Sequence, residues 1–472
     1  MTIKYASTRG HHQHLEFADA MVHGLAPDGG LYCPIEVPAL PPLDDLMPDV
    51  GNGPDYVAVA QRVMWPYVDG SIDQDLFNRL VADAYSGFTH SDICPVIDIG
   101  DNIHLLDLTR GPTLAFKDVA LQLLGRLLGN ELSLRSTDVT VVTATSGDTG
   151  SAAIEALAGR PHIEVVVLHP HNRVSEVQRR QMTTVIAPNI HNVAIEGTFD
   201  DCQDLVKTVF SRPEMAGGRQ PAAVNSINWA RVMAQIVYYV SAAMTVAPGN
   251  KPVSFSVPTG NFGNILSAWY AKRMGLCIDQ LIIGTNRNDV LTRFFETGRL
   301  EARKVEPSIS PSMDVQISSN FERLLWEASG RDGAAISQLM KQFRSDGVVD
   351  TPEQWATSIR SEMSAARLDD AGIRAEIKRV YEQTELVIDP HTAVGVYAAR
   401  TNRSDHGTPM VVAATADPAK FGSAVKDAVG FSPMVPPQLV ELFDRDEHYR
   451  VAQANTDSLA QVLGDVASSA RR

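Results

Sequence analysis

The stretch DVTVVTATSGDTGSAAIEALAG (Asp138–Gly159) contains the local pattern that decides the fold. An apolar, β-branched run, Asp138–Ala144, predicts a buried strand, and the small-residue segment SAAIEALAG predicts a helix. Between them lies TSGDTGS (Thr145–Ser151), in which glycines permit a sharp turn and hydroxyl groups precede the helix start. A strand, a glycine-rich turn and a helix in this order are typical of one unit of a parallel sheet.

The same alternation of apolar runs and helix-like segments recurs along the chain. The runs and their following segments are IEVVVLH (Ile163–His169) with SEVQRRQM, HNVAIEG (His191–Gly197) with DDCQDLVKTVF, VSFSV (Val253–Val257) with ILSAWYAKRMG, and VVAATA (Val411–Ala416) with AKFGSAVKDAVG. This repetition predicts an α/β fold in which helices cover both faces of parallel sheets. Ligands of such sheets bind beyond the carboxyl ends of the strands, so the loops at those ends are the candidate sites.

The residues before about Pro95 have a different character. The turn-dense stretches Gly24–Pro34 and Pro38–Pro54 precede a helical pattern, YVAVAQRVMWPYV. A chain of 472 residues suggests about three domains. We therefore predict a small N-terminal domain, residues 1–92, ahead of a main α/β region, residues 93–472.

Composition and charge exclude several classes of protein. The chain has 41 Lys and Arg against 56 Asp and Glu, a formal charge of −15, which argues against nucleic acid as a partner. A long stretch without a charged residue, Val232–Asn250, contains polar residues and a proline. It predicts a buried amphipathic helix rather than a membrane span. The first residues show no apolar signal segment, so we expect a cytoplasmic protein that has no membrane contact.

We expect no metal site and no disulfide framework. A histidine-rich loop, HHQH (His11–His14), is more typical of a solvated surface than of a metal centre. The cysteines lie far apart and form no CxxC pair. They are Cys33, Cys94, Cys202 and Cys277.

Two more strand ends carry candidate binding residues. The loop PTGNFGN (Pro258–Asn264) combines glycines and asparagines at a helix start, where free N–H groups favour a phosphate. It has neither the Lys-Ser/Thr of a Walker A loop nor a full GxGxxG fingerprint. Thr415 stands at the end of another predicted strand. For these loops and for Thr145–Ser151, simple helix capping is the alternative that the residues leave open.

Lys117 is the candidate nucleophile. It lies in DLTRGPTLAFKDVALQLLG (Asp107–Gly125), at the start of an apolar helix. Most lysines in such positions are solvated, but a desolvated lysine has a lowered pKa and can form a Schiff base. The residues alone leave both alternatives open.

Seven segments together resemble the threonine synthase family of pyridoxal-phosphate enzymes, which have fold type II (the tryptophan synthase β-subunit-like fold). They occur in the family's order: GPTLAFKD, TATSGDTGSAA, NSINWARVMAQIVYY, VPTGNFGNILSAWYAKRMG, SMDVQISSNFERLLWE, DPHTAVGVYAA and TADPAKF. The N-terminal stretch YASTRGHHQHLEFADAMVHGLAPDGGLYCP also resembles the extra domain of the family's longer, fungal and bacterial branch. This resemblance implies a pyridoxal-phosphate-dependent catalytic region with two interleaved α/β lobes. About 137–250 would form mainly the smaller lobe, and 93–136 with 251–472 mainly the larger.

The resemblance also implies roles for individual residues. Lys117 would be the catalytic lysine that binds the cofactor, and Thr415 would meet the pyridine nitrogen. Asn228 and Arg231 would contact the substrate phosphate. The residues implied for the cofactor phosphate are Gly260, Asn261, Phe262, Gly263 and Asn264. The residues implied for the substrate α-carboxylate are Thr145, Ser146, Gly147, Asp148 and Thr149.

The implied reaction converts O-phospho-L-homoserine and water to L-threonine and phosphate, the final step of threonine biosynthesis, by a lyase that is a monomer or a homodimer. Where many relatives read TAHPAKF, this chain has Asp417 in place of histidine. Two alternatives remain open: another enzyme of the same fold, such as a phospho-lyase or an amino-acid dehydratase, and a catalytically silent protein that binds a phosphorylated metabolite. Release of ammonia and an oxoacid would identify the first alternative.

Overall fold

The computed structural model describes residues 2–43, Leu46 and 53–469. Residue 1, residues 44–45 and 47–52 of the predicted N-terminal domain, and residues 470–472 of the catalytic region lie outside the described residues. The predicted turn-dense stretch Pro38–Pro54 is therefore described only in part.

The described N-terminal part contains a small antiparallel sheet and helices that pack on the main body. Its elements are β1 (Tyr5–Ser7), α1 (Phe17–His23), β2 (Tyr32–Pro34), α2 (Tyr56–Val68) and α3 (Gln74–Tyr85). Helix α2 has the bounds of the predicted segment YVAVAQRVMWPYV. Asp55 caps it by accepting a hydrogen bond from the Ala58 N–H at 3.1 Å.

The main body alternates strands and helices. Its strands are β3 (Val96–Asp98), β4 (Ile103–Asp107), β5 (Val139–Ala144), β6 (Ile163–Pro170), β7 (Ile190–Glu196), β8 (Gln220–Ala222), β9 (Val253–Pro258), β10 (Ile278–Thr285), β11 (Arg299–Glu301), β12 (Val348–Asp350), β13 (Met363–Arg367), β14 (Met410–Ala414) and β15 (Arg450–Gln453). Its helices are α4 (Lys117–Arg135), α5 (Asp148–Leu157), α6 (Glu176–Thr183), α7 (Phe199–Ser211), α8 (Trp229–Val246), α9 (Gly263–Met274), α10 (Val290–Thr297), α11 (Phe321–Ala328), α12 (Gly333–Asp346), α13 (Glu353–Glu362), α14 (Asp370–Thr384), α15 (Pro390–Asn402), α16 (Gly422–Val429), α17 (Pro437–Val440) and α18 (Thr456–Ser469). Short 3-10 helices span Pro213–Ala216, Pro311–Met313, Pro418–Phe421 and Glu441–Asp444.

Two parallel sheets organise the main body, which confirms the predicted α/β class. The larger sheet has the order β13-β10-β9-β14-β4-β3, and only β3 runs antiparallel to its neighbour. The smaller sheet has the order β15-β7-β6-β5-β8 and is parallel throughout. All eight residues of β6 are buried, as expected where helices cover both faces.

The smaller sheet takes strands from two parts of the chain. Strands β5 to β8 come from the predicted smaller lobe, 137–250, and β15 joins them from the C-terminal part by pairing with β7. The lobes therefore interleave in sequence. The boundaries of the N-terminal domain (1–92), of the catalytic region (93–472) and of its lobes (137–250, and 93–136 with 251–472) remain a proposal.

Helix α8 contains most of the uncharged stretch Val232–Asn250, for which a membrane span was considered. Every residue from Trp229 to Ala243 is buried, because the helix packs against α2, α4 and α9. It is thus buried on all faces along this length rather than amphipathic. No helix in the described part of the chain is long and apolar enough to cross a membrane.

Candidate active site

The end of strand β14 fixes the start of helix α4, and with it Lys117. The Phe116 N–H donates to the Thr415 carbonyl at 2.9 Å, and the Asp417 N–H donates to the Leu114 carbonyl at 3.0 Å. Lys117 is the first residue of α4 and therefore stands beside the carboxyl end of the larger sheet. This is the position at which parallel sheets bind ligands.

Lys117 is desolvated, which decides between the two alternatives that the sequence left open. The residue is 8% exposed, and its Nζ lies 4.8 Å from the centroid of the Phe116 ring. Burial is the largest cause that lowers the pKa of Lys117 below its ordinary value, and the charges of Lys420 and Arg231 lower it further. The amine is thus suited to act as a nucleophile and as a proton carrier.

Asp148, the first residue of α5, joins two lysines. Its Oδ2 lies 3.2 Å from Lys117 Nζ, and its Oδ1 lies 2.7 Å from Nζ of the buried Lys420. Gln178 Nε2 donates to the same Oδ1 at 2.9 Å. Burial alone would raise the pKa of Asp148, but the two lysines and Gln178 hold that pKa well below its ordinary value.

The loop before α5 has a geometry that depends on glycine. Gly147 has a φ of 142°, and a Cβ at this position would lie 2.5 Å from Gln178 Cδ. Thr145 Oγ1 accepts hydrogen bonds from the N–H groups of Gly147 and Gly150, both at 2.9 Å. Ser146 and Thr149 are half-buried beside them. The loop therefore presents hydroxyl groups and the start of a helix next to Lys117.

The loop Gly260–Asn264 precedes helix α9 and leaves N–H groups available for a ligand. Phe262 is in the left-handed region, with φ 64°, and α9 begins at Gly263. The first N–H groups of a helix have no partner within the helix, so they can bind an anion. Asn264 Oδ1 accepts from the hydroxyls of Tyr238 and Tyr239. Within the described residues, its buried Nδ2 has no hydrogen-bond partner.

Within the described residues, Arg231 is a buried cation without a counter-charge. It is 2% exposed, its Nη1 donates only to the Val224 carbonyl at 3.4 Å, and its Nε is buried without a partner in the described structure. None of the ion pairs found among the described residues includes it. Burial lowers the pKa of Arg231 to about 10. Because an unpaired buried charge is costly, this position favours a bound anion.

The side chain of Asn228, by contrast, is fully used in hydrogen bonds within the protein. Its Oδ1 accepts from the Ala230 N–H at 3.1 Å and caps α8. Its Nδ2 donates to the carbonyls of Met21 and Ala223. The predicted contact of Asn228 with the substrate phosphate stays a prediction, and the amide in this conformation has no free donor.

Thr415 and Asp417 follow strand β14 as predicted. Thr415 is 6% exposed, and its N–H donates to Thr392 Oγ1 at 3.3 Å. Asp417 caps the 3-10 helix Pro418–Phe421 by accepting from the Ala419 N–H at 2.8 Å. Burial raises the pKa of Asp417. In this chain, the aspartate that replaces histidine is thus a helix cap beside Thr415.

Several residues of this site were not assigned a role from the sequence. Lys420 lies within TADPAKF and Ser312 within SMDVQISSNFERLLWE, but neither segment shows which side chain is buried. Ser312 Oγ donates to Asp148 Oδ2 at 3.3 Å, and its N–H donates to Nε2 of His391 at 3.2 Å. A lysine two residues after a proline carries no signal of its own, because its partner Asp148 is 272 positions away.

The residues present fit pyridoxal phosphate. A desolvated lysine can bind an aldehyde, and the helix start at Gly263 with the orphaned Asn264 Nδ2 can receive a phosphate. A Cβ at Gly260 would lie 2.6 Å from the Ser312 carbonyl oxygen, so the loop is packed closely and needs glycine there. Among the described residues, no group of three or more His, Cys, Asp or Glu could hold a metal ion.

Comparison with known proteins gives the same class. A model described as "Pyridoxal-phosphate dependent enzyme" matches residues 96–415, and models of the threonine synthase N terminus and C-terminal region match 4–85 and 392–463. The threonine synthase of Pseudomonas aeruginosa is 45% identical over 100% of this chain and 99% of its own length. The PLP-bound threonine synthase from Brucella melitensis is 46% identical, with a TM-score of 0.94 over 99% of this chain and 100% of its own. Threonine synthase from yeast is 34% identical, with a TM-score of 0.90 over 98% and 99%.

The fold and the site define a pyridoxal-phosphate-dependent enzyme of fold type II. Within this class, the matches to the threonine synthase N-terminal and C-terminal models and the full-length similarity to a threonine synthase identify the family. The chain belongs to the threonine synthase family.

Proposed function

We propose that this chain converts O-phospho-L-homoserine and water to L-threonine and phosphate, by loss of phosphate from Cγ and addition of water at Cβ. Arg231 is the observation that carries the proposal: it is a buried guanidinium that pairs with no carboxylate of the described residues and lies close enough to Lys117 to lower the pKa of that lysine. A phosphorylated amino acid supplies an anion for this cation and an amine for the lysine site.

Lys117 moves protons at the substrate. When bound, pyridoxal phosphate supplies an electron sink for a carbanion next to the substrate nitrogen. The Lys117 amine, whose pKa is lowered by burial, takes the proton from Cα and serves as acid and base at Cβ and Cγ. Asp148 and Phe116 hold this amine in place.

Arg231 binds the phosphate that leaves from Cγ. Charge accumulates on the phosphate oxygens as the bond breaks, and a guanidinium in a site that excludes water stabilises that charge strongly. Because Arg231 has no competing carboxylate in the described chain, its charge is available for this purpose.

The loop Thr145–Thr149 binds the substrate α-carboxylate. Its hydroxyls, and those N–H groups at the start of α5 that do not donate to Thr145, can donate hydrogen bonds to an anion. Asp148 is ionised and cannot donate, so within this loop its role is to hold Lys117 while Lys420 compensates its charge. Without Lys420, a carboxylate at this position would repel the substrate.

The loop Gly260–Asn264 would hold the cofactor phosphate, and Thr415 would provide a hydroxyl for the pyridine nitrogen. A hydroxyl carries no charge that would favour a protonated ring, and it therefore tempers electron withdrawal. We take this as a reason why the reaction proceeds through Cβ and Cγ.

Incubation of the holoenzyme with O-phospho-L-homoserine tests the proposal. Phosphate and L-threonine should appear in equal amounts, and O-phosphothreonine should give neither at a comparable rate. Formation of ammonia and an oxoacid instead of threonine would contradict the proposal and favour a lyase or dehydratase of the same fold.

The finer predictions about partners and location stay predictions. We expect a monomer or a homodimer, no nucleic acid partner and a cytoplasmic location. Sedimentation velocity measures the first, and fractionation of the source cells measures the last.

A further inference from the structure

The segment Ser312–Glu327 (SMDVQISSNFERLLWE) contributes Ser312 to the site, and its later residues hold the phosphate loop, Gly260–Asn264. Ser318 Oγ donates to the Gly260 carbonyl at 2.6 Å. Asn320 donates twice to the Asn261 carbonyl, from its backbone N–H at 3.1 Å and from Nδ2 at 2.9 Å. A Cβ on Gly263 would lie 3.2 Å from the same Nδ2, so the amide packs directly on the loop.

These contacts determine where the N–H groups of the loop point. In a planar trans peptide, the C=O of one residue and the N–H of the next are directed to opposite sides, and the described chain has no cis peptide. With the carbonyls of Gly260 and Asn261 held by Ser318 and Asn320, the N–H groups of Asn261 and Phe262 are directed away from the segment. Two consecutive donors are thereby set for an anion.

Arg323 in turn holds Asn320. Its Nη1 donates to Asn320 Oδ1, and its Nη2 donates to the Ile227 carbonyl at 2.7 Å. Nε and Nη2 both donate to the Tyr32 carbonyl, at 3.2 and 2.8 Å. Arg323 is 0% exposed, and its acceptors in the described chain are carbonyl oxygens rather than a carboxylate. A buried guanidinium with these four hydrogen bonds is a fixed point in the structure.

The three residues that accept hydrogen bonds from Arg323 lie in three different parts of the chain. Tyr32 is in β2 of the N-terminal part, Ile227 directly precedes the cap of the helix that carries Arg231, and Asn320 faces the phosphate loop. We propose that Asn320 and Arg323 are positioning residues that set the N–H groups of the phosphate loop and connect this loop with the N-terminal domain. The proposal rests on the proposed function, in which that loop receives the cofactor phosphate.

Comparison of pyridoxal 5'-phosphate with pyridoxal separates positioning from general stability. Both can react with Lys117, but only the first has a phosphate for the loop. Loss of structure would weaken both ligands alike, whereas a misplaced loop weakens only the phosphorylated one. The ratio of the two dissociation constants, measured by absorbance titration of apoenzyme, is therefore the readout.

Asn320→Asp is the main variant, because it keeps the size of the side chain and the contact with Arg323 but replaces the donor to the Asn261 carbonyl. We expect the preference for pyridoxal phosphate over pyridoxal to fall about tenfold, as for a buried carbonyl that loses a donor. Asn320→Ala should act in the same direction and provides a second variant. Asn189→Ala is the matched control, since Asn189 is a buried amide bound to the Leu157 and Ile163 carbonyls in the smaller lobe.

A preference unchanged in both Asn320 variants would overturn the positioning role. Gly260→Ala, which drives a Cβ against the Ser312 carbonyl, keeps this result interpretable. If it lowers the preference while the Asn320 variants do not, the further inference fails and the loop assignment stands. If Gly260→Ala also leaves the preference unchanged, the assignment of the loop to the cofactor phosphate fails.

Amide hydrogen exchange tests the connection with the N-terminal domain. Pyridoxal phosphate should slow exchange both in the phosphate loop and at residues 31–35 of the wild type, and Arg323→Lys should lose the second effect. A wild type in which the cofactor slows exchange only in the loop would overturn this part of the proposal.

Discussion

The two halves of the candidate active site treat buried charge in opposite ways. On one side Lys117, Lys420 and Asp148 form a cluster in which one carboxylate faces two lysine amines. On the other side Arg231 is buried with a single long hydrogen bond to a carbonyl and no carboxylate in the described chain. The first half is largely neutralised by the protein itself and suits proton transfer. The second keeps a positive charge that only a ligand neutralises, which suits binding and release of phosphate.

Replacement of Lys117 should have the largest effect. In Lys117→Ala the group that binds the cofactor and moves the protons is absent, so kcat should fall by more than about 10⁴-fold and the absorbance of the lysine-bound cofactor should vanish. Lys251→Ala, at an exposed position, is the control. Threonine formation at the normal rate by Lys117→Ala would refute the assignment of proton transfer to the Lys117–Asp148–Lys420 cluster.

Arg231→Met tests the half that keeps its charge. We expect kcat/KM for O-phospho-L-homoserine to fall roughly 100-fold, because a charged donor to the phosphate is lost. The apoenzyme should be no less stable in urea, since a buried cation without a carboxylate has been removed. Arg126→Met removes a guanidinium that pairs with Asp83 away from this cluster and is the control. A strong loss of apoenzyme stability in Arg231→Met would show that Arg231 stabilises the apoenzyme and is not an unneutralised charge kept for a ligand.

Lys420→Met, unlike Arg231→Met, should lower the stability of the apoenzyme. Within the described residues Asp148 then keeps Lys117 as its only cationic partner, so the free energy of unfolding of the apoenzyme should fall by about 4 kcal/mol. Addition of Asp148→Asn should recover part of this loss, as a double-mutant cycle in urea would measure. Strict additivity of the two substitutions would mean that Lys420 and Asp148 do not stabilise each other.

Asp118 provides the smallest and most local test. It is fully buried beside Lys117 and accepts from the Thr113 N–H and hydroxyl, and burial raises its pKa to about 6. The folded state therefore binds this proton more tightly than the unfolded state, in which the pKa is about 3.9. Stability relative to Asp118→Asn should decrease as the pH rises from about 4 to about 6, by at most about 1.4 kcal/mol per pH unit, and then stay level.

Urea unfolding of the wild type and Asp118→Asn across this pH range measures the difference. Asp148 has the reverse sign, because its pKa is lowered in the folded state and its contribution is lost on acidification. A difference between the two proteins that grows in favour of the wild type with rising pH would mean that Asp118 is ionised and paired in the folded state.

The sequence predicted the strand ends well because they depend on local patterns. Strand β5 and helix α2 lie where apolar periodicity placed them, and Phe262 and Gly147 take the turn conformations that their loops require. The resemblance also pointed to Lys117, which stands at the start of α4. Position and order of the loops follow from neighbours within about ten residues.

The tertiary contacts of the site residues could not be predicted from the sequence, because they join positions that are far apart along the chain. Whether Lys117 is desolvated depends on Asp148, Lys420 and Arg231, which are far away along the chain. Asn228 reads as a binding residue in its segment, yet its amide caps α8 and bonds to Met21. An asparagine that caps a helix and an asparagine that binds a ligand cannot be distinguished from the sequence alone.

By itself, the sequence determined the α/β class, the order of the loops and the residue types that can bind an aldehyde and a phosphate, because these depend on local periodicity and turn chemistry. Only the tertiary structure decided which charges are paired. It placed Asp148 between two lysines and, in the part of the chain that the structure describes, left Arg231 without a carboxylate. Through Arg323 it joined Tyr32 to a loop more than 200 residues away. Charge interactions depend on distance and burial, and both exist only once the lobes have packed.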